Sequence, residues 1–138
     1  MPTPGREDYL KQIYLLTEGG GETRIKEVAA ALSVQASAAS KMAKKLGEAG
    51  YLKYEKYGRV SLTDEGHHAG KEIVEKNRML AELLRQLDVP EDRVAAEAEG
   101  MEHHISMDTI RKLRYLARGI RSELSVRNDG GRKESDKQ

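Results

Sequence analysis

Cysteine is absent from this 138-residue chain, so disulfides and thiolate metal sites are excluded and any metal ligand must offer nitrogen or oxygen. Phenylalanine and tryptophan are absent too, which leaves Leu, Ile, Val, Ala, Met and six Tyr to build a core. No apolar run approaches the roughly 20 residues that a membrane span needs. The opening stretch MPTPGREDY has no apolar h-region, and the chain reads as cytoplasmic. The glycine cluster EGGGE lacks the Lys-Ser/Thr of a P-loop, and there is no H-E-x-x-H.

What is present is unevenly charged. The net charge of +1 is uninformative by itself, but residues 1–62 carry ten basic and seven acidic groups, a net +3. Residues 63–104 carry five and eleven, a net −6, and residues 105–138 carry nine and five, a net +4. A basic front and an acidic middle imply different partners for the two parts.

Periodicity predicts a helix over 6–17 with Tyr9, Ile13 and Leu16 as its apolar stripe, ended by the glycine cluster. Thr23 reads as the N-cap of a short helix bearing Ile25, Val28, Ala29 and Leu32. A turn at Ser33–Gln35 leads into a third helix reaching about Glu48. GYLKYEKYGRVSLT (50–63) switches to a hairpin turning near Gly58. Thr63 then caps a long helix, roughly 64–87, whose stripe of Ile73, Leu80, Leu84 and Leu87 is long enough to meet a second copy of the chain. Pro90 falls just inside a further helix carrying Val94, Ala98, Met101 and Ile105. A last helix runs from about Met107 to Leu124, and 125–138 reads as a disordered tail.

Two short helices joined by a tight turn and followed by a hairpin is the winged helix-turn-helix order. In the third helix Ala39, Met42, Ala43 and Leu46 form the inward face, while Ser37, Ser40, Lys41 and Lys44 share the other. Small hydroxyls approach base edges and lysines neutralise phosphates. Lys53, Lys56 and Arg59 surround the hairpin tip. Residues 36–59 hold six basic groups against two acidic ones. An ordinary helical domain with a lysine-rich solvated face has the same composition, but the order of elements favours double-stranded DNA.

In EAEGMEHHIS (97–106), Glu99, Glu102 and His103 stand at i, i+3 and i+4 and share a helical face. A mixed oxygen and nitrogen set suits Mn, Fe, Co or Zn better than Mg or Ca. The same spacing also occurs on plain acidic surfaces. His104 points about 100° away round the helix and reads as a neighbour. His67 and His68 stand beside the capping residues Thr63, Asp64 and Glu65 and read as decoys.

EDYLKQIYLL, KMAKKLGEAGYLKYEKYGRVSLTDEG and EGMEHH, in that order, resemble the diphtheria-toxin-repressor family, and within it the manganese-responsive branch. The similarity spans about residues 2–120. It implies a mainly α chain, with a winged helix-turn-helix DNA-binding domain over 1–63 and an all-helical dimerisation and metal-sensing domain over 64–124. The implied function is a homodimeric, manganese-responsive repressor that binds a DNA operator and controls metal-ion uptake genes. The family's metal ligands fall on Asp8, Glu99, Glu102 and His103. Two further ligand positions depart from the family pattern. A carboxylate is replaced by Lys11 and a histidine by Asn77.

Lys11 lies one turn after Asp8 on the same side of the first helix. Its ammonium would compete with a cation for the same carboxylates, a gross interaction of about 4 kcal/mol at roughly 4 Å and an effective dielectric near 20. The loss of that carboxylate limits the implied Mn(II) to one ion per subunit. Asn77 is either a weaker oxygen ligand or a polar residue that fixes helix register. The alternative function is a metal-independent or altered-effector repressor in which Lys11 replaces the metal charge. A carboxylate-bridged metalloenzyme needs two E-x-x-H helices and two more carboxylate donors, which this pattern does not supply. The chain is therefore expected not to be an enzyme, nor to take a small organic substrate. A purely structural dimer module leaves the basic helix and wing unexplained.

Overall fold

Asp8 starts the first helix by accepting a hydrogen bond from the Gly5 N–H at 2.8 Å on its Oδ2, satisfying a donor that the first turn leaves open. That helix is α1 (Arg6–Thr17) in the computed structural model, which describes residues 4–18 and 20–120 of the chain. The order continues β1 (Glu22–Arg24), α2 (Ile25–Leu32), α3 (Ala36–Glu48), β2 (Leu52–Tyr54), β3 (Arg59–Leu62), α4 (Asp64–Gln86) and α5 (Glu91–Glu102). A last helix, α6, covers 107–120, where the description ends. The expected helix end at Leu124 and the expected tail at 125–138 lie outside the described residues. The chain divides into two compact units, Met1–Glu75 and Lys76–Gln138, with the division inside α4.

In the first unit α1, α2 and α3 surround a core of Leu10, Ile13, Val28, Ala39, Ala43 and Leu46, joined by Leu52, Val60 and Ile73. Burying each of the larger side chains contributes about 1.5–3 kcal/mol. Leu16, expected in the α1 stripe, is 40% exposed, and Leu10 takes its place inside. The turn between α2 and α3 is tight because Ser33 adopts a left-handed conformation (φ 56°). Its N–H donates to the Ala30 carbonyl at 3.2 Å, and the Val34 N–H donates to that of Ala29 at 3.0 Å, the two-bond helix ending that satisfies two of the carbonyls the last turn leaves open.

The hairpin gains a third strand. β1 pairs antiparallel with β3, giving the order β1-β3-β2 with Thr23 opposite Val60 and Tyr54 opposite Val60 on the other side. Thr23 is therefore a strand residue rather than the α2 N-cap, a position held by Arg24. Its hydroxyl still serves the helix by donating to Glu27 Oε2 at 2.7 Å. That bond, and next the Arg24 backbone N–H, hold the Glu27 carboxyl below its ordinary value.

Thr63 does cap α4: its Oγ1 accepts from the Gly66 N–H at 3.1 Å and donates to the Gly50 carbonyl at 2.6 Å. Pro90 is the N-cap of α5 and not its first helical residue. In the second unit Leu80, Leu83 and Leu84 of α4 pack with Val94 and Ala98 of α5 and Ile110 and Ala117 of α6. Arg85 of α4 forks onto Glu91 of α5 at 2.9–3.1 Å, and Arg114 of α6 reaches Glu82 of α4 at 2.9 Å. Leu87, expected in the α4 stripe, is 53% exposed, whereas Ile73, Leu80 and Leu84 are buried within their own chain. Exposed apolar side chains gather instead on α6, at Leu113, Leu116 and Ile120, a spacing that places them on one face.

Candidate nucleic-acid interface and metal site

The two faces of α3 separate as its pattern requires. Ala39, Ala43 and Leu46 are buried, Met42 is half-buried, and Ser37, Lys41 and Lys44 are exposed with Ser40 half-buried beside them. The small alanines let α3 approach α2 closely and fix its angle, so the serines and lysines are presented by a rigid element. The first turn of α3 carries no acidic residue, and nothing there opposes a phosphate.

The wing places Lys53, Lys56 and Arg59 in solvent. Arg59 is not simply a tip residue, because its Nη1 lies 3.8 Å from Glu22 Oε2 of β1, both side chains being about half-exposed. An exposed pair of this kind contributes little to stability, and it leaves the guanidinium exchangeable onto a phosphate. No local pattern in the sequence signals this pairing, because β1 is formed by its tertiary contact with β3.

Two glycines set the packing of α4. A Cβ at Gly66 would collide with the Tyr51 carbonyl. One at Gly70 would lie 2.8 Å from Tyr14 Cβ and 3.0 Å from the Leu10 carbonyl of α1. The G-x-x-x-G spacing was the available signal. His67 packs edge-on against Tyr14, ring centroids 5.2 Å apart. His68 lines an open cleft of about 490 Å³ with Tyr51, Asp64, Glu65, Ala69 and Glu72.

The metal-ligand candidates are distributed over both units. Asp8 and Lys11, both half-buried, lie one turn apart on α1 in the first. Asn77, Glu99, Glu102 and His103 belong to the second. There Glu102 is 1% exposed, the one charged side chain in the buried set of the described residues. α5 ends at Glu102, and His103 keeps a helical backbone (φ −84°, ψ −10°) as the C-cap. The i, i+3, i+4 relation therefore survives the helix end. His103 Nε2 stands 3.5 Å from Glu102 Oε1. Glu99 is exposed one turn earlier, Asn77 is half-buried on α4, and His104 is exposed.

The structure brings Glu102 and His103 together. Among the described residues it closes no group of three or more histidine or acidic side chains around one point. A buried carboxylate is costly without a cation or hydrogen-bond donors, and with an imidazole alongside it offers the oxygen and nitrogen donors that a divalent transition ion accepts. The donor chemistry fits such an ion.

Comparisons with known proteins match both halves of the chain. Residues 1–60 match the family described as iron dependent repressor, N-terminal DNA binding domain. Residues 63–122 match iron dependent repressor, metal binding and dimerisation domain. The HTH-type transcriptional regulator MntR of Lysinibacillus sphaericus (strain C3-41) is 43% identical over 116 residues, 84% of each chain. That of Bacillus subtilis (strain 168) is 37% identical over 129 residues, covering 94% of this chain and 91% of the relative. Among solved structures, the metal-dependent transcriptional regulator MtsR superposes with a TM-score of 0.72 at 34% identity, over 83% of this chain and 54% of that one. A manganese-dependent transcriptional repressor in complex with manganese gives 0.69 at 32% identity, over 82% and 52%. The chain thus spans about half the length of these solved structures. No helix among the described residues is long and apolar enough to cross a membrane.

Proposed function

Given that this chain belongs to the iron-dependent repressor family, we propose that it is a manganese-responsive transcriptional repressor, a DNA-binding regulator and not an enzyme. The reading is carried by one combination: a basic α3 and wing exposed in the first unit, and a buried Glu102 beside His103 in the second. The solved neighbours include a manganese-dependent transcriptional repressor in complex with manganese, and the curated relatives are transcriptional regulators named MntR. On this reading residues 1–63 bind an operator and residues 64–124 serve dimerisation and metal sensing.

Ser37 and Ser40 meet base edges in the major groove, and Lys41, Lys44, Lys56 and Arg59 hold phosphates. Two copies pair through the exposed Leu113, Leu116 and Ile120 of α6, so that two recognition helices read two half-sites. Asp8, Glu99, Glu102 and His103, with Asn77 as a weaker oxygen donor, are the ligands of a single Mn(II) per subunit. Bound there, the ion would supply positive charge that offsets the carboxylates of this set. Asp8 is the residue through which that charge acts on α1, and α1 packs directly on α2 of the DNA-reading pair.

The test is fluorescence-anisotropy titration of a manganese-operator duplex with chelator or with excess Mn(II). Tight, salt-sensitive binding only with Mn(II) is the expected result. Equal binding under both conditions would transfer the case to the metal-independent alternative, with Lys11 supplying the charge. No preference for an operator over random duplex under either condition would end the repressor reading.

A further inference from the structure

Tyr57 stands at the crest of the wing with 88% of its surface exposed, more than any other large apolar side chain of the described residues. A ring in this position gives up the burial that aromatic side chains ordinarily gain on folding. Its backbone is unfavourable as well. At φ 65° and ψ 27° it occupies the left-handed region, which a bulky residue enters only at a cost and which tends to mark functional positions.

The surrounding structure holds it there. The Glu55 N–H donates to the Arg59 carbonyl at 2.8 Å and closes the tip. Gly58, itself at φ 71°, lies so close to the start of α2 that a Cβ would stand 3.3 Å from Ile25 Cγ2. The crest is thereby clamped to the body of the first unit, and the reversal at Tyr57 leaves the ring at the apex. On either side Lys56 and Arg59 are exposed. An aromatic wedge between cations suits a surface that offers flat sugar and base edges between anionic phosphates, which is the chemistry of a DNA groove.

We propose that Tyr57 is a DNA-contacting residue of the wing, its ring lying on sugar and base edges in the groove beside the one entered by α3, while Lys56 and Arg59 hold the flanking phosphates. The inference rests on the DNA-binding reading above and adds to it an uncharged contact that charge patterning does not reveal. The strained crest is then a presentation device: folding holds the ring exposed, and binding covers it.

The test compares full-length wild type with Tyr57→Ala, Tyr57→Phe, Tyr57→Gly and Lys56→Ala on an operator duplex at saturating Mn(II), across a salt series. Tyr57→Ala and Tyr57→Gly are expected to weaken binding roughly 10-fold, within the range of aromatic contacts to bases. Their salt slope should stay that of wild type, whereas Lys56→Ala lowers the slope by about one. Tyr57→Phe, which keeps the ring, should bind within about twofold of wild type. The Tyr57→Gly chain, free of the left-handed penalty, should unfold at or above the wild-type temperature, which separates lost contact from lost fold. Wild-type affinity in Tyr57→Ala, with wild type itself binding, overturns this inference alone. So does a loss in Tyr57→Phe as large as in Tyr57→Ala, which would assign the contact to the hydroxyl. A wild-type chain that binds no duplex overturns the DNA-binding reading and this inference together.

Discussion

Lys11 is the residue at which this chain departs most from what its ligand set requires. It stands one turn beyond Asp8 on α1, half-buried like its neighbour, where on the proposed ligand set an ammonium would compete with a divalent cation for the same carboxylates. Removing that competitor and adding a carboxylate should tighten Mn(II) at least about 10-fold, since even a third of the gross contact energy corresponds to that factor. Isothermal titration of Lys11→Glu with Mn(II) measures it, and the Lys11→Glu, Asn77→His double variant should bind tighter still. Affinity unchanged in both would place Lys11 away from the ligand set. The same variant separates the two functions, because a repressor that relies on the Lys11 charge would lose its chelator-resistant DNA binding in Lys11→Glu. Residue spacing alone marked Glu99, Glu102 and His103. Asp8 entered only through the family resemblance, because no spacing rule connects residues so far apart in the chain. The burial of Glu102 was legible from neither, since a helix pattern shows which residues share a face and not which face is covered.

At the scale of elements, most of the architecture was readable because local chemistry sets it. Thr63 caps α4, the Ser33–Gln35 turn separates α2 from α3, and the alternation after Gly50 marks the wing. β1 was not readable. It has three residues, and its pairing partner β3 lies far along the chain, so its existence depends on tertiary contact that no local pattern encodes. Thr23 was misassigned for that reason: a hydroxyl residue before an apolar stripe looks like a cap whether or not a strand occupies the position. The packing of α1 on α4 was equally hidden, because it depends on what Gly70 lacks, as the seating of α4 against Tyr51 depends on what Gly66 lacks. Gly66→Ala and Gly70→Ala should each destabilise the chain by about 1–3 kcal/mol, the usual cost of overpacking, with Gly66 the worse because its nearest obstacle is the Tyr51 backbone carbonyl, whereas that of Gly70 is the Tyr14 side chain. Gly100 supplies the internal control. It lies within α5 with nothing near its Cβ position, so Gly100→Ala should stabilise by about 0.5–1 kcal/mol. Urea denaturation of the three variants reads the contrast, and a stabilising Gly70→Ala would mean that α1 can shift to accept a methyl group.

At the scale of the whole molecule, the functional claim is a coupling between two binding events, and coupling free energies are reciprocal. If Mn(II) on Asp8, Glu99, Glu102 and His103 favours the arrangement that binds DNA, then operator DNA must favour Mn(II) by the same factor, whatever path joins the sites. For a regulator of this kind the factor is expected to lie between about 5 and 150, the range of ordinary allosteric couplings. The charge distribution makes the relation testable, because operator DNA acts through the basic first part of the chain and Mn(II) mostly through carboxylates of the acidic middle. Residues 1–62 carry a net +3 and residues 63–104 a net −6, so added salt weakens the DNA step steeply through counterion release. It affects a partly buried ligand set such as Glu102 and His103 less. Titrating Mn(II) into the free protein and into a saturated operator complex, at one fixed salt concentration, should yield the same ratio of affinities as titrating operator with and without Mn(II). Lys44→Ala should lower operator affinity in both metal states while leaving that ratio unchanged, because it removes a phosphate contact and not the link. Glu102→Gln should instead bring the ratio toward one, because it takes the charge from the buried ligand while leaving α3 and the wing intact. A ratio that stays at wild type in Glu102→Gln would mean that the metal acts on DNA binding from somewhere other than the site proposed for it.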